Sequence, residues 1–256
     1  FCDPHGGMAA TRCAFEAPLH TLVAHSSSEV QPLLDRVQVL CQQGLWCVGY
    51  LRYEAAPAFD AALVVHPSDG PLAWFGVYQE ALPWPEALTN NEDHLTRVDW
   101  HPPLSRTDFD ASLAALHQAI GNGECYQVNY TSTQHGDFSG QPLTLFQRLQ
   151  LAQPGGYAAY IDSGFEQVLS VSPELFFDWR PHSGAATGDI LTRPMKGTAP
   201  RGGNATEDAA QVAALLASAK ERAENVMIVD LLRNDLSRIA QPHSVQVPQR
   251  FQVQTL

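Results

Sequence analysis

Lys196 lies in a segment whose residue types suit nucleophilic chemistry. The chain holds two lysines against thirteen arginines, and one lysine stands in the run Arg193-Pro194-Met195-Lys196-Gly197-Thr198-Ala199-Pro200-Arg201. A guanidinium stays protonated at physiological pH, whereas a partly buried lysine can lose its proton and act as nucleophile or base. The two prolines restrict the segment and the glycine leaves room for a ligand. The alternative is that an arginine-rich composition left two lysines by chance.

A pair of glutamates on one predicted helix could bind a metal. Glu221 and Glu224 are three residues apart, so their side chains point about 60° apart around the helix axis. This spacing can present oxygens to one hard cation such as Mg²⁺. The alternative is an exposed pair bridged to Lys220 and Arg222. Because two carboxylates are too few for a complete site, Mg²⁺ would need ligands from elsewhere, including the substrate.

Two further polar residues lie beside predicted strands. Glu174, in Ser172-Pro173-Glu174, separates two strand candidates, where a strand end can direct a carboxylate into a cleft as general acid. Gln127 lies on an alternating segment and is a candidate wall of a binding site. A surface turn and an outward-facing strand position are the alternative interpretations. The ten histidines and five cysteines lack metal-ligand spacing, so none is assigned to a metal.

Hydrophobic periodicity predicts the elements that must position these residues. It predicts helices over 29–42, 107–121, 143–151 and 206–235. It predicts strands over 45–53, 72–78, 125–131, 157–161, 167–171, 175–179 and 190–193. In the last helix the glutamate side continues as apolar residues near Ile228, so we expect that end to be buried on all sides.

Composition narrows the class of protein. A hydrophobic fraction of 45% is ordinary for a globular chain, and a net charge of -12 disfavours nonspecific binding to nucleic acid or anionic membranes. No apolar run reaches membrane-spanning length, and the first residues do not resemble a signal peptide. The scattered cysteines predict reduced thiols in a cytoplasmic protein. Because Phe1 is not an initiator methionine, the sequence can start inside a longer polypeptide.

Four segments, in this order, resemble the chorismate-utilising enzymes, the group of anthranilate, aminodeoxychorismate, isochorismate and salicylate synthases. The resemblance runs from about residue 109 to the C-terminus, with a looser likeness over 49–56. Four ordered motifs are too many for chance agreement. The segments are Cys125-Tyr126-Gln127-Val128-Asn129, Ser172-Pro173-Glu174, Arg193-Pro194-Met195-Lys196-Gly197-Thr198 and the run 220–235.

Two positions indicate the branch of the family. Anthranilate synthases usually carry alanine at the position of Lys196, whereas aminodeoxychorismate synthase component I carries lysine in a near-identical segment. The water-adding isochorismate and salicylate synthases usually carry a lysine base at the position of Gln127, and ammonia needs no such base. Both positions resemble component I, which makes 4-amino-4-deoxychorismate for 4-aminobenzoate and folate synthesis. Its ammonia comes from a glutamine amidotransferase subunit, which must be separate because this chain carries no amidotransferase motif.

The resemblance also implies roles for individual residues. Lys196 would attack C2 of chorismate while Glu174 protonates the departing 4-hydroxyl, and ammonia would then attack C4 and expel the lysine. Mg²⁺ on Glu224, with Glu221 nearby, would hold the ring carboxylate. The residues that would contact the substrate are Gly197, Thr198 and Gln127.

The implied fold is α/β of the α+β type, with large antiparallel sheets packed as a sandwich and helices outside, as in anthranilate synthase component I. We predict an N-terminal α/β subregion over 1–82, a linker over 83–106, and the first part of a chorismate-binding domain over 107–256. The family continues past this point into a C-terminal half that bears a second metal-ligating glutamate, so we expect this chain alone to be inactive. The alternatives are anthranilate synthase component I and an inactive fragment or amidotransferase-docking module of the same fold.

Overall fold

Two compact units divide the chain in the computed structural model, which describes residues 12–84, 96–153, 156–182 and 187–255. One unit combines Phe1–Pro85 with Leu149–Leu256, and the other is Glu86–Arg148. The domain boundaries predicted from the sequence stay a prediction. In chain order the elements are β1 Cys13–Ala14, β2 His20–Ala24, α1 Ser27–Gln42, β3 Trp46–Leu51, a 3-10 helix Tyr53–Ala58, β4 Ala73–Tyr78, β5 Leu82–Pro83, β6 Arg97–Trp100, α2 Arg106–Gly121, β7 Gly136–Ser139, α3 Pro142–Ala152, β8 Tyr157–Asp162, β9 Gln167–Ser172, β10 Leu175–Pro181, β11 Gly188–Arg193, α4 Ala205–Ala217 and α5 Ala219–Ser237.

An antiparallel sheet in the order β2-β4-β3 forms the N-terminal part of the larger unit. Helix α1 packs on it through Val30 and Leu33, which are buried with Ala24 and Ala73. The helix begins at a serine cap, where Glu29 accepts the backbone N–H of Ser26 at 2.8 Å. The backbone N–H groups of His25 and Ser26 both donate to this carboxylate and lower its pKa.

Two antiparallel strand pairs, β8 with β9 and β10 with β11, belong to the second part of this unit. In the β10–β11 pair, Leu175 stands opposite Arg193. This register brings the residue before β10, Glu174, beside the chain that leaves β11. The segment that carries Lys196 therefore starts next to the turn that carries Glu174.

The predicted helix over 206–235 is two helices, α4 and α5, separated at Ser218. Ser218 has an extended backbone with φ -65° and ψ 113°, and its hydroxyl accepts the backbone N–H of Glu221. A serine hydroxyl that caps a new helix compensates for the interrupted backbone hydrogen bonds.

The predicted burial of the C-terminal end of α5 is also wrong, because α5 has no buried residue in the part of the chain that is described. Val226, Met227 and Leu231 remain exposed on it. A helix that is apolar all round is buried only when other elements cover every side.

The smaller unit contains α2, the antiparallel pair of β6 and β7, and the start of α3. Ser105 caps α2 by accepting the backbone N–H of Asp108 at 3.1 Å. The strand predicted over 125–131 does not form, since none of those residues has strand structure. An alternating pattern becomes a strand only when a neighbouring strand takes up its backbone hydrogen bonds.

A long-range polar link closes the larger unit. The Tyr50 hydroxyl and the Arg52 guanidinium, both from the strand β3 and its end, donate to the carboxylate of Glu166. Glu166 lies in the turn between β8 and β9, where its backbone N–H donates to the Ser163 hydroxyl at 3.0 Å. The link ties the N-terminal sheet to the β8–β9 pair.

The other predicted helices and strands are confirmed to within a few residues at their ends. Within the predicted linker over 83–106, the structure has the strand β6, and residues 85–95 lie outside the described residues. Among the described residues, none of the helices combines the length and the apolar character needed to cross a membrane.

Candidate active site

The loop over 194–204, between β11 and α4, carries Lys196. Its first anchor is a hydrogen bond in which the backbone N–H of Met195 donates to Oε1 of Glu174 at 2.8 Å. The strand register described above places these two residues side by side. The structure therefore brings together the predicted nucleophile segment and the predicted general acid.

The second anchor is the contact of Gly197 with α5. Gly197 has φ +80°, and a side-chain carbon added to it would lie 2.9 Å from Oε2 of Glu221. A left-handed backbone that also touches another side chain requires glycine. Lys196, which is half-buried, is thus held between one contact to Glu174 and one to Glu221.

The third anchor holds the far end of the loop to the first turn of α4. Arg201 Nε donates to Oδ2 of Asp208 at 2.9 Å, and the backbone N–H of Gly202 donates to Oδ1 of Asp208 at 2.5 Å. The guanidinium and this N–H together lower the pKa of the Asp208 carboxyl, and Asp208 raises the pKa of Arg201. The next N–H, that of Gly203, donates to Glu207 at 2.7 Å.

A cleft of about 840 Å³ opens beside this loop within the larger unit. Of the residues predicted from the sequence, Lys196, Gly197, Thr198 and Glu221 line it. Glu174 is exposed next to the cleft and reaches it through Met195, and Glu224 does not line it. Gln127 belongs to the other compact unit, where its side-chain oxygen is buried without a hydrogen-bond partner among the described residues.

Glu221 and Glu224 point toward a common cation. Lys220 Nζ lies 3.8 Å from Oε1 of Glu221 and 3.7 Å from Oε1 of Glu224. The Lys220 side chain is 76% exposed, and its two ion pairs correspond to the Lys220 part of the alternative considered from the sequence. They also show that both carboxylates can approach one positive centre. In the described part of the chain no cluster of three or more His, Cys, Asp or Glu residues could hold a metal alone.

Sequence reasoning missed a stripe of α5 that forms one wall of the cleft. Its members recur at helical spacing and include two cations and an amide: Arg222, Asn225, Val229, Leu232, Arg233 and Leu236. The helical spacing of these residues would have predicted this face, whereas the sequence analysis considered the face that carries the glutamates. Arg222 stacks on the ring of Phe251, with its guanidinium carbon 4.7 Å from the ring centroid. Guanidinium groups on this wall suit an anionic ligand.

The loop with Lys196 and the arginine-bearing wall of α5 give this cleft a composition that suits a small anionic ligand. The chain belongs to the chorismate binding enzyme family, which it matches over residues 8–256. This match includes every residue that the structure describes.

Characterised relatives are found in two branches of that family. Aminodeoxychorismate synthase component 1 of Klebsiella aerogenes is 36% identical over 204 residues, covering 78% of this chain and 44% of the relative. The aminodeoxychorismate synthase of Streptomyces griseus is 43% identical over 157 residues, covering 60% of this chain and 21% of the relative. Anthranilate synthase component 1 of Aeropyrum pernix is 36% identical over 143 residues, covering 56% and 31%. The chain spans less than half the length of these relatives.

Proposed function

We propose that this chain contributes the nucleophile-bearing part of an aminodeoxychorismate synthase component I, which converts chorismate and ammonia to 4-amino-4-deoxychorismate. The observation that carries the proposal is the position of Lys196, on a loop that lines the cleft and is fixed by Glu174 and Glu221. The aminodeoxychorismate synthases among the relatives support this branch. A relative from the anthranilate synthase branch has comparable identity, and Lys196 disfavours that activity.

Amination would proceed by two displacements. The free amine of Lys196 attacks C2 of chorismate, the double bonds shift, and the C4–O bond breaks as Glu174 gives its proton to the departing hydroxyl, which leaves as water. Ammonia then attacks C4, the double bonds shift back, and the C2–N bond to Lys196 breaks. The product carries nitrogen at C4, and the lysine amine and the Glu174 carboxyl recover their starting states by proton exchange.

Mg²⁺ fits this chain as a partly protein-held ion. Glu221 and Glu224 converge on the Lys220 ammonium, so a divalent cation that displaces this ammonium would meet oxygens from both residues. Mg²⁺ is commonly held by one or two carboxylates, with water and substrate completing the shell. When bound, it would neutralise a carboxylate of the substrate. Arg222 and Arg233 on the same helix would add positive charge at the cleft.

Ammonia would reach C4 from a separate glutamine amidotransferase subunit. Gln127 in place of a basic residue suits ammonia, which attacks without prior deprotonation. The substrate contact that the resemblance implies for Gln127 stays a prediction; among the described residues its side-chain oxygen has no hydrogen-bond partner. The free thiols of the described cysteines support a reducing, cytoplasmic location; they are Cys13, Cys41, Cys47 and Cys125.

The complete fold, we propose, packs its antiparallel sheets face to face with the helices outside. Support comes from the β10–β11 pair, which buries Leu175 and leaves Phe176 and Trp179 exposed on a two-stranded sheet. Apolar strand residues of this kind are characteristic of sheets that are covered by a second layer.

The test is the Lys196→Arg variant of the complete enzyme, assayed with chorismate, Mg²⁺ and ammonium, with the product identified by mass and chromatography. We expect loss of the 4-amino product, because guanidinium stays protonated and cannot attack C2. Lys220→Arg is the matched control, since it is the same exchange at the second lysine and keeps the cation beside Glu221 and Glu224. Normal 4-amino product from the Lys196 variant would exclude the covalent role. A wild-type enzyme that forms anthranilate, or nothing, would contradict the proposal as a whole.

A further inference from the structure

Asp208 holds the loop at a point that helix capping does not require. The N-terminus of α4 is already capped by Asn204, whose Oδ1 accepts the backbone N–H groups of Thr206 and Glu207 at 3.1 and 3.0 Å. Asp208 instead turns back and accepts from Arg201 and Gly202, which precede the helix. The side chain of Asp208 therefore accepts hydrogen bonds from the loop and does not cap the helix.

We propose that Asp208, acting through Arg201 and Gly202, is a positioning residue for Lys196. It fixes the end of the loop that Glu174 and Glu221 leave unheld. Between the anchored Gly197 and Arg201 lie only Thr198, Ala199 and Pro200, all exposed. Proline fixes one of the backbone angles in this short span, which limits the slack between the two anchors.

The contacts of Asp208 with Arg201 and Gly202, here called the clamp, fix the orientation of the loop more than a simple charge pair would. Arg201 donates from Nε to both carboxylate oxygens and from Nη2 to Oδ2, and the backbone N–H of Gly202 also donates to Oδ1. Such a fork restricts direction as well as distance, which a point charge would not do. Removing the carboxylate would free the backbone of Gly202 and the Arg201 side chain together.

The test uses the fact that the chain has two lysines. Lys196 and Lys220 are acylated in competition with a trace of acetic anhydride at about pH 10, near the ordinary lysine pKa, and each modified peptide is quantified by mass spectrometry. Because Lys220 is exposed, its rate serves as an internal reference in the same molecule. The variants are Asp208→Ala, Asp208→Asn and the conservative Asp208→Glu.

We expect the Lys196-to-Lys220 ratio to rise about fivefold in Asp208→Ala, less in Asp208→Asn, and least in Asp208→Glu. The control is Asp108→Ala, which removes an acidic residue from the first turn of α2 in the other unit. It should leave the ratio unchanged. A purely structural role for Asp208 would lower the melting temperature and raise both labelling rates together, and an unchanged ratio in Asp208→Ala would overturn the proposal.

The catalytic meaning of the clamp rests on the proposed function and is measured separately. In the complete enzyme, Asp208→Ala should lower kcat about fivefold with KM changed by less than about twofold, since the loop is displaced and the cleft is kept. Asp208→Glu should recover most of the lost kcat. If the labelling ratio rises but wild type lacks synthase activity, the clamp stands and the proposed function fails. If wild type is active and neither ratio nor kcat responds, the clamp fails alone.

Discussion

Glu174 is placed so that one carboxylate can serve two purposes. Oε1 accepts the backbone N–H of Met195, the residue before Lys196, so the side chain anchors the loop. The general-acid role proposed for Glu174 would use its other oxygen. These two roles respond differently to substitution.

Glu174→Gln and Glu174→Ala separate the acid from the anchor. The glutamine oxygen can still accept from Met195 but the amide cannot protonate the leaving hydroxyl, so kcat should fall at least about 100-fold with Lys196 labelling unchanged. Alanine removes both functions, so labelling of Lys196 relative to Lys220 should also rise. The measurements are steady-state kinetics and competitive acylation. Wild-type turnover by the glutamine variant would assign the acid elsewhere.

The two glutamates of α5 differ in what surrounds them. Glu221 lies against the backbone of Gly197 and lines the cleft, whereas Glu224 follows three residues later on α5 and does not line the cleft. In the Glu224→Gln variant we expect half-maximal activation to need about tenfold more Mg²⁺, because an amide is a poorer ligand for a hard cation. Glu221→Gln serves as the comparison and should shift the activation curve less. Superimposable Mg²⁺ titrations of wild type and the Glu224 variant would rule out this ligand.

At the residue scale, the sequence motifs predicted the members of the candidate site that are close in sequence and that line the cleft. Lys196, Gly197 and Thr198 are contiguous, so any structure must keep them together. The hydrogen bond from Met195 to Glu174 depends on the register of β10 against β11, which one-dimensional spacing does not contain. Arg201 and Asp208 were missed for a similar reason, because an ion pair across a turn has no periodic signature.

Among the elements, the junction of α4 and α5 sets the position of Glu221. Ser218 ends one helix and caps the next, and its hydroxyl accepts the Glu221 N–H. An alanine on each side made a continuous helix the better sequence prediction, since alanine has the highest helix propensity. The structure instead has an extended backbone at Ser218, whose hydroxyl caps α5.

The contact between the loop and α5 predicts the effect of Gly197→Ala. Alanine at this position would have to adopt a left-handed backbone, and its methyl group would lie too close to Glu221. We therefore expect a loss of about 1–3 kcal/mol in the free energy of unfolding. Turnover should fall about 100-fold through displacement of Lys196. Urea denaturation and kinetics measure the two effects.

Gly44→Ala is the matched control for that variant. Gly44 also has a positive φ, +85°, but an added side-chain carbon would meet nothing within 4 Å. It should lose stability from backbone strain alone and keep its activity. Equal losses of turnover in both variants would show that the Glu221 contact does not position Lys196.

Periodicity predicted helices well and strands unevenly. Helices α1, α2 and α3 carry their own backbone hydrogen bonds, and α1 and α2 also begin at serine caps, so local sequence predicts them well. The short strands β6 and β7 depend on pairing with each other, although their nearest paired residues, Trp100 and Gly136, are separated by 36 positions in the sequence. The run 125–131 has the alternation without a partner and remains irregular.

For the molecule as a whole, exposed apolar side chains on β10 have consequences in solution. Phe176 is 81% exposed, and Phe177 and Trp179 on the same strand are also largely open to solvent. Contiguous apolar surface on a two-stranded sheet promotes association. We expect this chain alone to sediment as oligomers at about 50 μM and to bind a hydrophobic dye.

Phe176→Ser with Phe177→Ser should reduce both signals, while the control Phe138→Ser, on β7 of the other unit, should not. Analytical ultracentrifugation gives the answer directly. A wild-type chain that sediments as a monomer at that concentration would show that the β10 surface does not mediate association.

The link from Tyr50 and Arg52 to Glu166 can form only late in translation, because its partners are far apart in the sequence. The partners are separated by 116 and 114 residues, and the smaller unit, Glu86–Arg148, is inserted between them. At typical elongation rates the ribosome needs roughly 6 to 23 s to add that interval. During this time the N-terminal sheet has emerged without its partner turn, and its arginine and tyrosine remain hydrated. The larger unit can therefore be completed only after the smaller unit has been translated, and chaperones have those seconds in which to bind the N-terminal sheet.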